Sequence, residues 1–201
     1  AVVMMYLAGT HPKGLLLGAA GAAVFLLVYI RFMGYAGDRV TAWRHPELDP
    51  GDTGYQILQS LYAIGSGGFF GLGPGKSRQK YLYLPFQYND SIFAIVCEEL
   101  GLVGALGIMA LFALLIFRGY RIARQAENRF STALAAGLIS LIAVQTILNL
   151  CVVTNLLPST GIALPFFSYG GTALAVNLGE MGIVLNISRS GKKRTIQEAA
   201  N

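Results

Sequence analysis

From Lys80 to Gly101 the chain reads KYLYLPFQYNDSIFAIVCEELG and holds three carboxylates, Asp90 alone and then Glu98 beside Glu99. Cations precede them at Lys76, Arg78 and Lys80, aromatic residues stand at Tyr81, Tyr83, Phe86 and Tyr88, and an apolar run follows from Leu102 to Phe117. A carboxylate at the lip of a membrane is costly unless it is solvated or paired, so an acid there is a functional hypothesis by default. Asp90, with the cations and aromatics around it, is therefore the candidate for chemistry. A plainer reading stays open. Asp90 stands just before a helix start, where its side chain could accept orphan backbone N–H groups, and the aromatics and bases could form an interfacial belt. Glu98 and Glu99 face about 100° apart on a helix. They are therefore not an acid–base pair on one face, and pairing with loop cations is expected instead.

Other patterns carry less. Gly75-Lys76-Ser77 resembles the close of a phosphate-binding loop, but Phe70 stands where that motif needs glycine. Asn89-Asp90-Ser91 has the form of a glycosylation acceptor, a triplet that arises readily by chance. The only histidines are His11 and His45, and Cys97 and Cys151 sit in apolar runs, so no metal spacing and no Ser-His-Asp set can be assembled.

The elements that must position these residues belong to a membrane protein. Of 201 residues, 54% are hydrophobic and 12% charged, against roughly 25% charged in an ordinary soluble domain. The net charge of +5 comes from short basic clusters beside apolar runs. That pattern sets membrane topology and argues against nucleic-acid binding. Residues 1–8 read as the last turns of a helix already under way, so the chain is expected to begin inside a larger protein. Leu15 to Met33 is the first complete span, with Arg31 near enough to its end to snorkel.

Residues 34–91 form a long outer loop with structure of its own, carrying four of the seven prolines, Trp43 and nearly balanced charges. Within it, Gly54 to Ile64 spaces its apolar residues as a short amphipathic helix at the membrane surface. Gly65 to Gly75 (GSGGFFGLGPG) is too rich in glycine and proline for a helix and is expected to be a shaped turn. A second span starts at Ile92, is interrupted at Glu98-Glu99-Leu100-Gly101 and runs to Phe117. Arg118, Arg121, Arg124 and Arg129 form a basic linker, Ser131 to Leu157 a third span, Pro158 to Gly171 an uncharged loop and Thr172 to Ile187 the last span, followed by a basic tail. The fold class is thus all-α and polytopic, about four complete spans plus one truncated span, with residues 1–201 forming a single transmembrane domain. Basic short loops stay in the cytoplasm, which places the C-terminus there and the two remaining loops outside.

GYQILQSLYAIGSGGFFGLGPGKSRQKYLYLP, DSIFAIVCEELG, LLPSTGIALPFFSYGG and the closing GIVLNISR together resemble the C-terminal half of the SEDS family, the shape, elongation, division and sporulation proteins FtsW, RodA and SpoVE. The first of these segments is closest to the division and sporulation branch. The resemblance implies the later part of a ten-helix fold in the bacterial cytoplasmic membrane, septal by that branch. It also implies an enzyme that polymerises lipid II into glycan strands on the outer face, beside a class B penicillin-binding protein and other divisome proteins.

By the same resemblance the family's essential outer-loop acid falls on Asp90, the general base, with ligation of a divalent cation (Mg2+ or Mn2+) as a second role. Phe86-Gln87-Tyr88-Asn89 departs from the family's Pro-Glu pattern before that acid. Lys76, Arg78 and Lys80 would contact the undecaprenyl pyrophosphate, and Thr160, Ser168 and Tyr169 would line the same cavity. The fragment alone is expected to be inactive. Two alternatives stay open, a lipid II transporter, for which Glu180 in the last span would serve, and a non-catalytic scaffold for a penicillin-binding protein.

Overall fold

A computed structural model of the chain describes residues 12–32, 34–48, 53–79 and 90–200. All described regular structure is helical. Among the described residues six α-helices follow one another: α1 (Pro12–Phe32), α2 (Gly34–Arg44), α3 (Thr53–Ser66), α4 (Ile92–Arg124), α5 (Arg129–Val153) and α6 (Gly171–Ala200), with a 3-10 turn, Pro46–Leu48, between α2 and α3. Two of them, α4 and α5, are long and apolar enough to cross a membrane. Residues 1–11, where the truncated first span was expected, lie outside the described residues, as do Lys80 and the aromatics at 81–88.

Contacts group the chain into two units: residues 1–24, 112–144 and 171–201 form one, and residues 25–111 and 145–170 the other. In the first, Ala123, Ala135, Ala136 and Ile187 make a buried cluster with Tyr120 and Leu134 packed on it. Small side chains bring these helices close. Gly119 takes this furthest, since a Cβ there would come within 2.3 Å of the Ile139 side chain. Tyr120 Oη and Ser140 Oγ are hydrogen-bonded at 2.8 Å, and Ser140 donates to the Ala136 carbonyl. On α6, Asn177, Glu180, Val184 and Ile187 are buried at helical spacing, so one face of this otherwise exposed helix carries the packing.

The second unit holds the long loop and the uncharged loop against each other. Arg39 on α2 donates to the Ser159 carbonyl and the Trp43 indole N–H to the Asn155 carbonyl, at 3.0 and 2.9 Å. The expected shaped turn is present, and it docks on the break in α4. Gly101 has φ 67° and ψ −167°, a conformation essentially reserved for glycine. The break frees backbone groups that the turn collects: Leu72 and Gly73 N–H donate to the Glu98 and Glu99 carbonyls, while Leu102 and Val103 N–H donate to the Gly68 and Phe69 carbonyls. Before the break Phe93, Ala94, Ile95 and Cys97 are buried; beyond it Leu102, Val103, Leu106, Leu111, Leu114 and Phe117 are exposed, as a lipid-facing segment requires.

Several boundaries differ from expectation: α1 starts at Pro12, α3 runs to Ser66, and α6 continues past Ile187 to Ala200 through the basic tail. At both ends of α5 and at the end of α4 the reason is local. The helix of α4 runs on through Arg118, Arg121 and Arg124, so most of the basic linker is helical and the turn proper is residues 125–128. Asn128 then caps α5, its Oδ1 accepting from the Ser131 N–H at 2.8 Å. At the far end α5 stops at Val153 instead of reaching Leu157: Asn155 adopts φ 58°, Leu156 N–H donates to the Cys151 carbonyl and Asn155 N–H to the Val152 carbonyl. That is the paired closure of a left-handed C-cap, with asparagine in place of glycine. Near the 3-10 turn, the Glu47 carboxyl is held below its ordinary range by its own backbone N–H and by the His45 ring.

Candidate active site

Asp90 sits where four pieces of the second unit meet. It stands two residues before α4, whose first turn closes through Ala94 N–H on the Ser91 carbonyl. With Ser91 it lines a cavity of about 20 Å³ whose other walls are Gln56, Ile57 and Ser60 from α3, Val152 and Val153 from α5, and Ser159 from the uncharged loop. A single water needs roughly 10–15 Å³, so this space admits a water or a small cation next to Asp90. Among the described residues no N–H donates to the Asp90 carboxylate, and no lysine or arginine lies within ion-pair distance of it. The helix-cap alternative therefore has no described hydrogen bond behind it.

The polar wall is ordered. Gln56 Nε2 donates to Ser91 Oγ at 3.0 Å, which leaves the Ser91 hydroxyl proton free to turn toward the cavity. Asn149, on α5, donates through Nδ2 to the Asp90 carbonyl and to the Ile162 carbonyl, both at 2.8 Å. The uncharged loop closes on itself, Leu164 N–H donating to Ser168 Oγ and Ser168 N–H to the Leu164 carbonyl.

The other residues singled out by sequence divide. Ser168 is spent on that internal turn, and Thr160 is exposed while its neighbour Ser159 reaches the cavity. Tyr169 is 82% exposed. Lys76 and Arg78 are exposed and do not line the cavity, and Lys80 lies outside the described residues. Glu98 was expected to pair with loop cations. It is instead 1% exposed, and accepts from the Ser77 hydroxyl and the Arg78 backbone N–H. It is a structural anchor for the segment after the glycine turn. Glu99 keeps one buried oxygen, Oε1, without a described partner.

Sequence reading missed Gln56, Ser60, Ser91, Ser159 and Asn149. The signals were there for three of them: Gln56 and Ser60 form the polar face of α3, and Asn149 is an amide in an apolar span, where a polar side chain needs a partner. For Ser91 and Ser159 nothing local distinguished them from other loop serines. Among the described residues no three of His, Cys, Asp and Glu come together as a metal cage. One carboxylate with neutral hydroxyl and amide oxygens does suit Mg2+, which keeps several waters and binds through one or two carboxylates plus substrate phosphates.

Comparison with known proteins agrees with this architecture. Residues 1–193 match the FtsW/RodA/SpoVE family of cell cycle proteins. Stage V sporulation protein E of Bacillus subtilis is 46% identical over 94% of this chain and 51% of its own length. The probable peptidoglycan glycosyltransferase FtsW of Geobacter sulfurreducens is 43% identical over 94% of this chain and 50% of its own length. In structure, a peptidoglycan synthase complex that coordinates polymerization and crosslinking superposes with a TM-score of 0.76 at 27% identity, covering 94% of this chain and 52% of that one. The rod shape determining protein RodA of Thermus thermophilus superposes with a TM-score of 0.51 at 32% identity, covering 65% and 39%. The chain spans about half the length of the curated relatives it matches. On the match along nearly its whole length, and on identity above two-fifths to FtsW and SpoVE proteins, this chain belongs to the FtsW/RodA/SpoVE family.

Proposed function

We propose that the protein of which this chain is part is a peptidoglycan glycosyltransferase, polymerising lipid II at the outer face of the cytoplasmic membrane during division or sporulation. The observation that carries the reading is Asp90, an acid with no described ion-pair partner, at a water-sized cavity that it lines with Gln56, Ser60, Ser91 and Ser159 among apolar neighbours. In this mechanism the acceptor's 4-hydroxyl attacks the anomeric carbon of the growing strand. The new glycosidic bond forms as the bond to undecaprenyl pyrophosphate breaks, and Asp90 takes the hydroxyl proton. Lys76, Arg78 and Lys80 offset charge on the departing pyrophosphate, and Thr160 and Tyr169 flank the acceptor as Ser168 holds the loop's turn. A divalent cation, Mg2+ or Mn2+, held by Asp90 would supply further charge compensation at that pyrophosphate.

The relatives named probable peptidoglycan glycosyltransferases and the resemblance to a synthase complex support the reaction class and a class B penicillin-binding protein as partner. By this reading the protein is septal, with its C-terminus in the cytoplasm. The test uses the full-length protein with its crosslinking partner in vesicles: the native form makes glycan from lipid II, and Asp90→Ala still binds the partner and makes none. Glycan synthesis by Asp90→Ala at the native rate would remove the assignment. A lipid II transporter is the second reading. Buried Glu180, whose Oε2 has no described partner, favours it. Lipid II crossing vesicle membranes equally well in the native protein and in Asp90→Asn would establish it.

A further inference from the structure

Asn149 has none of its surface exposed, and its position is unusual for what its amide holds. It lies on α5 one turn before that helix ends, three and four residues ahead of Val152 and Val153, which line the Asp90 cavity. Residues at that spacing share a helix face, so Asn149 is one turn beneath the cavity wall. Its amide nitrogen has two protons to give, and the carbonyls of Asp90 and Ile162 receive them at 2.8 Å each. One side chain thereby joins the main chain at the acid to the main chain of the loop on the other side of the cavity.

We propose that Asn149 is the positioning residue for Asp90, fixing through the backbone where the carboxylate stands relative to the uncharged loop. The inference rests on the general-base reading above and extends it. An aspartate has only two side-chain torsions, so the location of its oxygens is set chiefly by its main chain. A base must stand within hydrogen-bond reach of the proton it takes. A misplacement of about 1 Å, with chemistry otherwise intact, lowers the rate on the order of 10²-fold. Among the described residues the other ties on this stretch act one residue further on: Gln56 holds the Ser91 side chain, and Ala94 N–H holds the Ser91 carbonyl.

The experiment measures lipid II polymerisation by the full-length protein with its crosslinking partner in vesicles, for the native form, Asn149→Leu, Asp90→Glu and the double variant. Asn149→Leu is expected to lower kcat on the order of 10²-fold while KM for lipid II stays within about twofold, the signature of a contact that matters at the reacting atoms. Asp90→Glu moves the carboxylate outward by one methylene. It is expected to cost kcat heavily in the native background and at least about tenfold less when Asn149 is already leucine, because the position is no longer held. Native kcat in Asn149→Leu, or an equal effect of Asp90→Glu in both backgrounds, overturns the proposal. Where Asn149→Leu does not give a folded protein by thermal melting, Asn149→Gln keeps the amide on a longer arm and is read by the same criteria. Native activity in Asp90→Ala would instead strike the base assignment, and with it this extension, whereas failure of the Asn149 arms alone leaves that assignment standing.

Discussion

Glu98 shows how far one buried acid can be understood from its contacts. Its two oxygens are both engaged, one by the Ser77 hydroxyl and the other by the Arg78 N–H, and the side chain is closed off from solvent. Removing the acceptor takes one hydrogen bond each from the Ser77 hydroxyl and the Arg78 N–H, bonds to a charged group worth about 1.5–3 kcal/mol apiece. Glu98→Ala is therefore expected to destabilise the protein by about 3–6 kcal/mol. Glu98→Gln should cost about 1 kcal/mol, because one oxygen can still accept from Arg78 while the Ser77 hydroxyl rotates to accept from the new NH2. Thermal melting of the full-length variants in detergent checks both. Equal losses for the two would mean that charge, and not acceptor geometry, holds the anchor. The sequence marked Glu98 as an acid needing a partner, and that was correct. It pointed to cations because Lys76 and Arg78 are the obvious counter-charges, whereas the fold uses the serine between them and a main-chain N–H, groups that no charge pattern can flag.

At the scale of elements, the glycine turn and the break in α4 explain each other. Composition alone requires that residues 65–75 not be helical, and the Glu-Glu-Leu-Gly step hints at an interruption. What composition could not show is that these are one feature, since the hydrogen bonds joining them run between segments about thirty residues apart. The fit is tight: a Cβ on Gly71 would lie 2.2 Å from the Glu99 carbonyl oxygen, and one on Gly101 would lie 2.3 Å from the Gly71 nitrogen. Gly101→Ala is expected to cost at least about 3 kcal/mol, combining an unfavourable backbone region with a main-chain clash. Gly107 makes the control, lying on the same helix with open space around a Cβ. Gly107→Ala should be neutral or stabilising by up to about 1 kcal/mol, as for a glycine in an ordinary helix interior. If both substitutions have the same effect on the melting temperature, the turn does not depend on the glycine geometry at the break.

For the molecule as a whole, the legible part was what local physics dictates: helix, apolar run, turn and basic cluster. The assembly of the second unit was not legible, because it brings together residues 25–111 and 145–170 through single side chains reaching over long sequence separations. Arg39 and Trp43 are the clearest case. They sit on α2, in a stretch whose weak patterning gave no sign of a helix, and they hold carbonyls of the uncharged loop at Ser159 and Asn155. The same loop carries Ser159 to the Asp90 cavity, so its hold on the rest of the unit bears on the site. Trp43→Phe keeps the aromatic bulk and deletes the indole N–H, a bond worth about 1 kcal/mol. Local opening of residues 154–170 should then become about fivefold more frequent, since 1.4 kcal/mol corresponds to a factor of ten. Hydrogen exchange followed by mass spectrometry on the full-length protein reads this directly. Peptides covering 154–170 should exchange about fivefold faster in Trp43→Phe, while those covering residues 112–124, in the other unit, keep their native rate. Faster exchange in both would mean that the substitution loosens the protein globally, and an unchanged rate at 154–170 would mean that the loop is held without this bond.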